Sequence, residues 1–317
     1  MNKASVAVIG ECMLEVSLAS GGCELGKSSL PANLSFGGDV LNTAVYLARL
    51  NVGVDFVSAV GDDTLSDWLV KQWELEGVGC ERVARAPNSS PGLYMISTDS
   101  VGERSFSYWR DSSPARKILD DEQQASSLFT ALGEYPWLYF TGISLAILPP
   151  LARASLLAFL DSYRAAGGKV AFDSNYRPRL WGDADQAKSL FTQVYRRCDL
   201  ALLTLDDETA LFGEDSLDSH VSRLRGAGIG ELVLKLGAEG CAIVTDEGRL
   251  TVPAIRVQPV DTTSAGDSFN AGYLAKRIAG CDVNTAAKFA HSLAALVIQY
   301  PGAIVPRSVT AELSGAM

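Results

Sequence analysis

The sequence predicts an α/β fold built on a parallel sheet, with a small antiparallel sheet outside it, and three observations point there. Apolar runs of strand length alternate with stretches of helical periodicity, as they do when helices connect parallel strands. The helical stretches are apolar on one face or almost throughout, the pattern of helices packed on a sheet. The alternation fails in two places, Leu14 to Phe36 and Pro91 to Arg110, where shorter runs read as hairpins.

Taken in order, Val6 to Ile9 is a strand that Glu11 ends, too short for the apolar core of a signal peptide. The first irregular stretch contains Gly21-Gly22-Cys23-Glu24-Leu25-Gly26-Lys27-Ser28, which satisfies the spacing of a nucleotide-binding phosphate loop. Its context argues against that role, because Pro31 follows and Asn33 to Gly38 has no helical pattern to supply the helix N-terminus such a loop needs. Asp39 to Leu50 is a helix with Leu41, Ala44, Val45 and Ala48 on one face, and Phe56 to Val60 returns to the sheet. Leu93 to Ser97 and Arg104 to Trp109, turning at Asp99 to Glu103, alternate as a hairpin. Tyr135 to Ala152 is long and uncharged, yet Pro136, Pro149 and Pro150 break it, so it reads as a buried strand and its loop rather than a membrane span. Val170 to Phe172, Leu200 to Leu203 and Leu232 to Leu236 are further strands; Gly226 to Gly230 ends a helix before the last of them. Ala286 to Ile298 is a buried helix. With no repeat and no low-complexity linker, residues 1–317 read as one domain, the excursions at roughly 12–36 and 91–112 forming its lid.

Composition narrows the function. Hydrophobic residues are 47% and charged residues 20%, which fits a packed globular chain and not a disordered one. A formal charge of −10 disfavours nucleic acid and anionic membranes as partners. The six cysteines never come closer than eleven residues, so there is no CxxC pair, and a reduced, cytoplasmic chain is expected. Only His220 and His291 are present, little material for a histidine metal site or a Ser-His-Asp triad.

The most informative segment is Asp261-Thr262-Thr263-Ser264-Ala265-Gly266-Asp267-Ser268-Phe269-Asn270-Ala271-Gly272-Tyr273, which passes from small, turn-forming residues into a helix ending near Ala279. Small residues let a phosphate approach the backbone. The N–H groups of Ser264, Ala265 and Gly266 lack intrahelical partners and lie at the positive end of the helix dipole, where a transferring phosphoryl group is stabilised. Asp267, in the first turn, is placed to take the proton of an attacking hydroxyl, or else to cap the helix; spacing alone leaves both open.

This segment resembles the C-terminal signature of the ribokinase-like (PfkB) carbohydrate kinases, DTxGAGD, with Ser264 where that consensus has glycine. Because the hole is built from backbone amides, a serine there is expected to be harmless if its dihedrals are ordinary. A second signature of the family is matched by Gly37-Gly38-Asp39-Val40-Leu41-Asn42, followed by Gly61-Asp62-Asp63. Gly10 to Glu15, Tyr108-Trp109-Arg110, Asp173 to Trp181 and Gln299 to Arg307 are similar to the bacterial 2-keto-3-deoxygluconate kinases within it, a resemblance running from about residue 5 to 307.

The resemblance implies a ribokinase-like three-layer Rossmann-like sandwich with an antiparallel β lid. It implies transfer of the γ-phosphoryl of Mg·ATP to the C6 hydroxyl of 2-keto-3-deoxygluconate, with Asp267 as base and the Ser264, Ala265 and Gly266 amides around the transferring group. On the sugar side it implies Gly37 and Gly38, with Asp39 and Asn42 on one helix face for the hydroxyls and Tyr94 closing over them. The acid end of such a substrate needs a cation. Arg104, Arg110, Arg116 and Lys117 against Asp111 make a local charge of +3, so Arg110 beside Tyr108 is the first choice for bidentate capture and Arg177 the second. On the nucleotide side the resemblance implies Asn175 and the loop Lys235, Gly237, Ala238 and Gly240, besides Ser264 and Gly266. Glu208 matches the glutamate of the family's N-x-x-E motif, whose asparagine position is Leu205, and would reach Mg²⁺ through water. ATP, Mg²⁺ and a monovalent cation such as K⁺ are the expected cofactors, and a homodimer through the lids the expected assembly. The rival readings are a fructokinase or other neutral-sugar kinase, and a sugar-binding regulator that keeps the fold without catalysis.

Overall fold

The computed structural model describes residues 4–18, 28–98, 104–213 and 216–314. The chain opens with β1 (Val6–Ile9), leaves as β2 (Met13–Leu18) and β3 (Ala32–Gly37), and returns through α1 (Asp39–Arg49) to β4 (Val54–Val60). After α2 (Thr64–Glu76) and the edge strand β5 (Val83–Arg85) it leaves again as β6 (Leu93–Thr98) and β7 (Arg104–Trp109). Strands and helices then alternate: α3 (Glu122–Leu132), β8 (Trp137–Thr141), α4 (Gly142–Ile147), α5 (Pro150–Ala165), β9 (Lys169–Asp173), α6 (Ala184–Tyr195), β10 (Leu200–Thr204), α7 (Leu205–Phe212), α8 (Leu217–Gly226) and β11 (Glu231–Lys235). The hairpin β12 (Cys241–Thr245) and β13 (Gly248–Val252) and the helices α9 (Ala265–Ile278), α10 (Val283–Val297) and α11 (Arg307–Ser314) complete it.

The nine-stranded sheet runs β13-β12-β11-β10-β9-β8-β1-β4-β5, parallel from β5 to β11 and antiparallel at β12 and β13. Its inner strands are buried on both faces, and alternate residues feed two cores: Val6, Val8, Leu200 and Leu202 pack with α1, α2, α9 and α10, whereas Ala7, Ile9, Ala201 and Leu203 pack with α3 to α8. That is the three-layer arrangement expected. β1 pairs with both β4 and β8, so strand order reverses there, and ligands of open α/β sheets bind outside the carboxyl ends at such a point.

The two irregular stretches meet in a second sheet of order β3-β2-β6-β7. The pairs β2–β3 and β6–β7 are antiparallel as expected, but the central pair β2–β6 is parallel, because both strands leave the large sheet in the same direction. A second correction concerns the segment after β8. It is not a loop: Thr141 caps α4 through a capping box with Ser144, and Pro150 opens α5, where proline's missing N–H costs nothing. The lid turn at 99–103 and residues 21–27 of the phosphate-loop spacing lie outside the described residues. Asn33 to Gly37 belongs to a strand and not to the helix such a loop requires.

Candidate active site

Polar residues close the apolar strands at their carboxyl ends: Thr141 on β8, Asp173 on β9, Thr204 on β10 and Lys235 on β11. The first turn of α1 lies over this edge. Gly38 begins it because the chain passes so close to β1's extension that a Cβ would stand 2.4 Å from the Glu11 carbonyl oxygen. Asp39 Oδ2 accepts hydrogen bonds from Thr141 Oγ1 at 2.6 Å and Asn175 Nδ2 at 2.7 Å. Removal from water still raises its carboxyl above the ordinary range, against those two donors. One turn on, Asn42 Nδ2 donates to Asp267 Oδ2 at 2.8 Å, while its Oδ1 is buried with no donor. The two helix N-termini are thereby tied together, and Thr43 adds a bond to the Asp267 carbonyl at 3.3 Å.

Asp267 is the third residue of α9, and the N-cap position belongs to Ser264, so the capping alternative fails. Burial pushes the Asp267 carboxyl up to about 7; Asp39 and Asp173 reinforce the shift, and Asn42 and Lys235 oppose it. The result is a carboxyl that changes ionisation near neutrality beside a helix N-terminus. The N–H groups of Ser264 and Gly266 meet no acceptor among the described residues, but that of Ala265 is turned to the Thr262 carbonyl at 3.2 Å, which removes it from the expected hole. The serine expectation also fails in one respect. Ser264 sits at φ 64°, ψ 13°, a left-handed conformation that costs a serine about 1 kcal/mol relative to glycine.

At the loop that the resemblance gives to the nucleotide, Lys235 Nζ lies 3.2 Å from Asp173 Oδ2 and 3.0 Å from Asn270 Oδ1. The loop Gly237, Ala238 and Glu239 turns outward, and Gly240, at φ 110°, closes it where a Cβ would stand 2.1 Å from the Val252 carbonyl oxygen. Asn175, which the resemblance gives to the nucleotide, donates its Nδ2 to Asp39. One expectation is corrected here. Glu208 is fully buried, with its oxygens taken by the Tyr195 hydroxyl and by Arg223 at 2.8 Å, so no face is left for a water-bound metal. Asp207, beside it, accepts the Tyr176 N–H at 3.2 Å, and burial with Asp173 nearby pushes its carboxyl up to about 6.

On the lid, strand register aligns Ser35, Glu15, Tyr94 and Tyr108 in one row. Tyr94 donates to Glu15 next to Gly37, and Tyr108 lies 6.0 Å away, ring to ring. Arg110 does not stand open as its charge suggested. It is 8% exposed and ion-paired with the buried Glu11, leaving its Nε and the second Glu11 oxygen without partners. Arg177 is half-exposed and leans on Asp207 at 3.5 Å.

The sequence reading thus missed roles for Thr141, Asp173, Asp207 and Asn270, and for Glu11 and Glu15. The first two carried a readable signal, as polar residues ending apolar runs at strand C-termini; for the others no local pattern existed. Replacing Asp39 by Asn should lower the Asp267 pKa, because the largest charge holding it up is gone; a carboxyl-detected NMR titration of both proteins would check this.

Comparison with known proteins gives the family and the fold. The family model described as pfkB family carbohydrate kinase matches residues 3–310. The chain is 44% identical to the 2-dehydro-3-deoxygluconokinase of Escherichia coli strain K12 over 310 residues, 95% of this chain and 97% of that one. Among solved structures, a PfkB protein from Polaromonas sp. JS666 superposes with a TM-score of 0.80 at 25% identity, covering 94% of this chain and 96% of that one. The 2-dehydro-3-deoxygluconokinase of Thermotoga maritima superposes with a TM-score of 0.83 at 21% identity, over 99% and 100% of the two chains. A signature loop opening α9, a paired α1 cradle and a family match across nearly the whole length lead to one statement: the chain belongs to the pfkB family of carbohydrate kinases.

Proposed function

We propose that this kinase transfers the γ-phosphoryl group of ATP to the C6 hydroxyl of 2-keto-3-deoxygluconate. The observation that carries the chemistry is Asp267, a carboxyl pushed up to about 7 between the sugar-side pair Asp39 and Asn42 and the unpaired amide of Gly266. A hydroxyl held by Asp39 and Asn42 gives its proton to Asp267 as its oxygen attacks the γ-phosphorus. The new P–O bond forms as the bond to the β–γ bridging oxygen breaks and ADP leaves. The Ser264 and Gly266 amides face the charge on the transferring group, and the Gly237 to Gly240 loop after Lys235 holds the remaining phosphates. The unsatisfied Asn42 Oδ1 is an acceptor awaiting a hydroxyl.

Substrate identity is supported by the 44% identity to a 2-dehydro-3-deoxygluconokinase, another name for a kinase of this sugar acid, and by Arg110, whose guanidinium keeps donors free beyond its bond to Glu11. Tyr94 and Tyr108 line the approach, and Arg177 is the second cation available. A fructokinase is the weaker reading, since the fructokinase of Vibrio alginolyticus is 27% identical. Among the described residues no group of three or more His, Cys, Asp or Glu is arranged to hold a metal, so Mg²⁺ would arrive on the phosphates with Asp207 nearby. A monovalent cation such as K⁺ would sit by the loop where Asp261 accepts the Thr263 and Gly302 N–H groups at 3.0 and 2.9 Å.

The small sheet would act as a lid excluding water, the competing acceptor. Its open edges β3 and β7 and the exposed Leu34, Phe106 and Trp109 support a homodimer through the lids. No described helix is long and apolar enough to cross a membrane, and we read the enzyme as cytoplasmic.

The direct test is ADP release on a panel of 2-keto-3-deoxygluconate, its galacto epimer, gluconate, fructose and ribose; equal or greater turnover of fructose would overturn the substrate. Asp267→Asn should lower kcat by roughly 10²–10⁴. In the native enzyme kcat/KM should fall as pH drops through about 7, since only the ionised carboxylate accepts the proton, and the variant should lose that limb. Arg110→Ala should raise KM for the acid sugar far more than for a neutral one; equal effects would exclude a carboxylate contact. Sedimentation should give twice the monomer mass, and Trp109→Glu should return it to one.

A further inference from the structure

Lys235 ends β11 with its ammonium buried, the residue being 8% exposed. An ammonium carries three N–H groups and accepts none. Two are committed, to Asp173 Oδ2 at 3.2 Å and Asn270 Oδ1 at 3.0 Å, and one is left. Nζ lies 3.5 Å from the point where a Cβ on Gly266 would stand, and the Gly266 N–H also lacks an acceptor. The free ammonium donor and the open helix N-terminus therefore flank the same small space. The geometry behind Lys235 is over-determined. Asn270, three residues beyond Asp267 on α9, donates its Nδ2 to Asp173 Oδ2 at 2.7 Å and to the Tyr139 hydroxyl at 3.0 Å. With its amide nitrogen so engaged, its oxygen must face the ammonium; a flipped amide would set donor against donor.

We propose that Lys235 is a catalytic cation that donates its third N–H to the phosphoryl group in flight, and that Asn270 and Asp173 are the positioning residues that aim it. Asp173 balances the lysine's charge in the empty site, so a resting nucleotide gains little from it. The gain comes when negative charge spreads over the equatorial oxygens of the transferring group within reach of Nζ. Loss of Lys235 should then appear in kcat and not in nucleotide binding. The nucleotide loop itself, Gly237 to Gly240, lies on the outward side of Lys235 and keeps its own backbone contacts.

The inference rests on the assignment of Asp267 and the α9 N-terminus to the transferring group, so Asp267→Asn is measured in parallel on the sugar that the native enzyme turns over best. Lys235→Gln should lower kcat by about 10²-fold, with sugar KM and the ADP dissociation constant within about threefold of native. Asn270→Ala should lower kcat by about tenfold with the same split, and adding it to Lys235→Gln should cost nothing further, because it acts only through the lysine. Lys235→Arg keeps a charge and should recover part of the loss. A Lys235→Gln enzyme with native kcat, an ADP affinity that falls in step with kcat, or Lys235 and Asn270 losses that multiply would each overturn the inference. If Asp267→Asn also turns over normally, the underlying site assignment falls with it; if Asp267→Asn is slow beside an unimpaired Lys235→Gln, only the role of Lys235 is lost.

Discussion

Four carboxylates, Asp39, Asp173, Asp207 and Asp267, are crowded at the carboxyl ends of the strands around the buried ammonium of Lys235, and the rest of the site is arranged to make that tolerable. Burial first, and neighbouring like charges second, push the ionisation of Asp39, Asp207 and Asp267 upward. The relief comes from neutral donors: Thr141 and Asn175 on Asp39, Asn42 on Asp267, Asn270 on Asp173. These partners come from α1, β8, the turn after β9, and α9. The electrostatic problem therefore binds together the helices on one face of the sheet and the strand ends on which they rest.

The same logic governs the junction of sheet and lid. Glu11 follows β1 and Arg110 follows β7, so their buried ion pair fastens the place where the chain leaves the body to the place where it returns. A Cβ on Gly92, just before β6, would stand 3.0 Å from the free Glu11 oxygen, so three of the four crossings meet around one charge pair. Removing either partner would leave the other charge buried alone, which ordinarily costs several kcal/mol. The anionic ligands of the proposed reaction would meet Arg110 and Lys235 locally and not the formal charge of −10. The positive groups that matter are few, buried and held in place, and beyond about 8 Å the remaining surface charge is screened at physiological salt.

Ser264 illustrates how a signature can be kept in function and altered in energy. The family consensus has glycine there, and the backbone takes the left-handed conformation a glycine would choose, which leaves the Ser264 and Gly266 amides open at the expense of local strain. Its hydroxyl is buried without a partner, a second small cost at the same residue.

By itself the sequence determined the order of elements, since alternation of apolar runs such as Val6 to Ile9 and Leu200 to Leu203 with amphipathic stretches is a local property. It also determined the loop Asp261 to Asp267, because small residues before a helix carry their chemistry in the backbone. Only the tertiary structure decided the partners. What the Asp267 carboxylate bonds to depends on Asn42, 225 positions away, and whether Arg110 is free depends on Glu11, 99 positions away. The burial of Glu208, the turn of Asn175 toward Asp39 and the parallel pairing of β2 with β6 were likewise invisible, each being set by a segment distant in the chain. Hydrogen bonds and desolvation act through space, and periodicity and local spacing record only what neighbours in the chain can do.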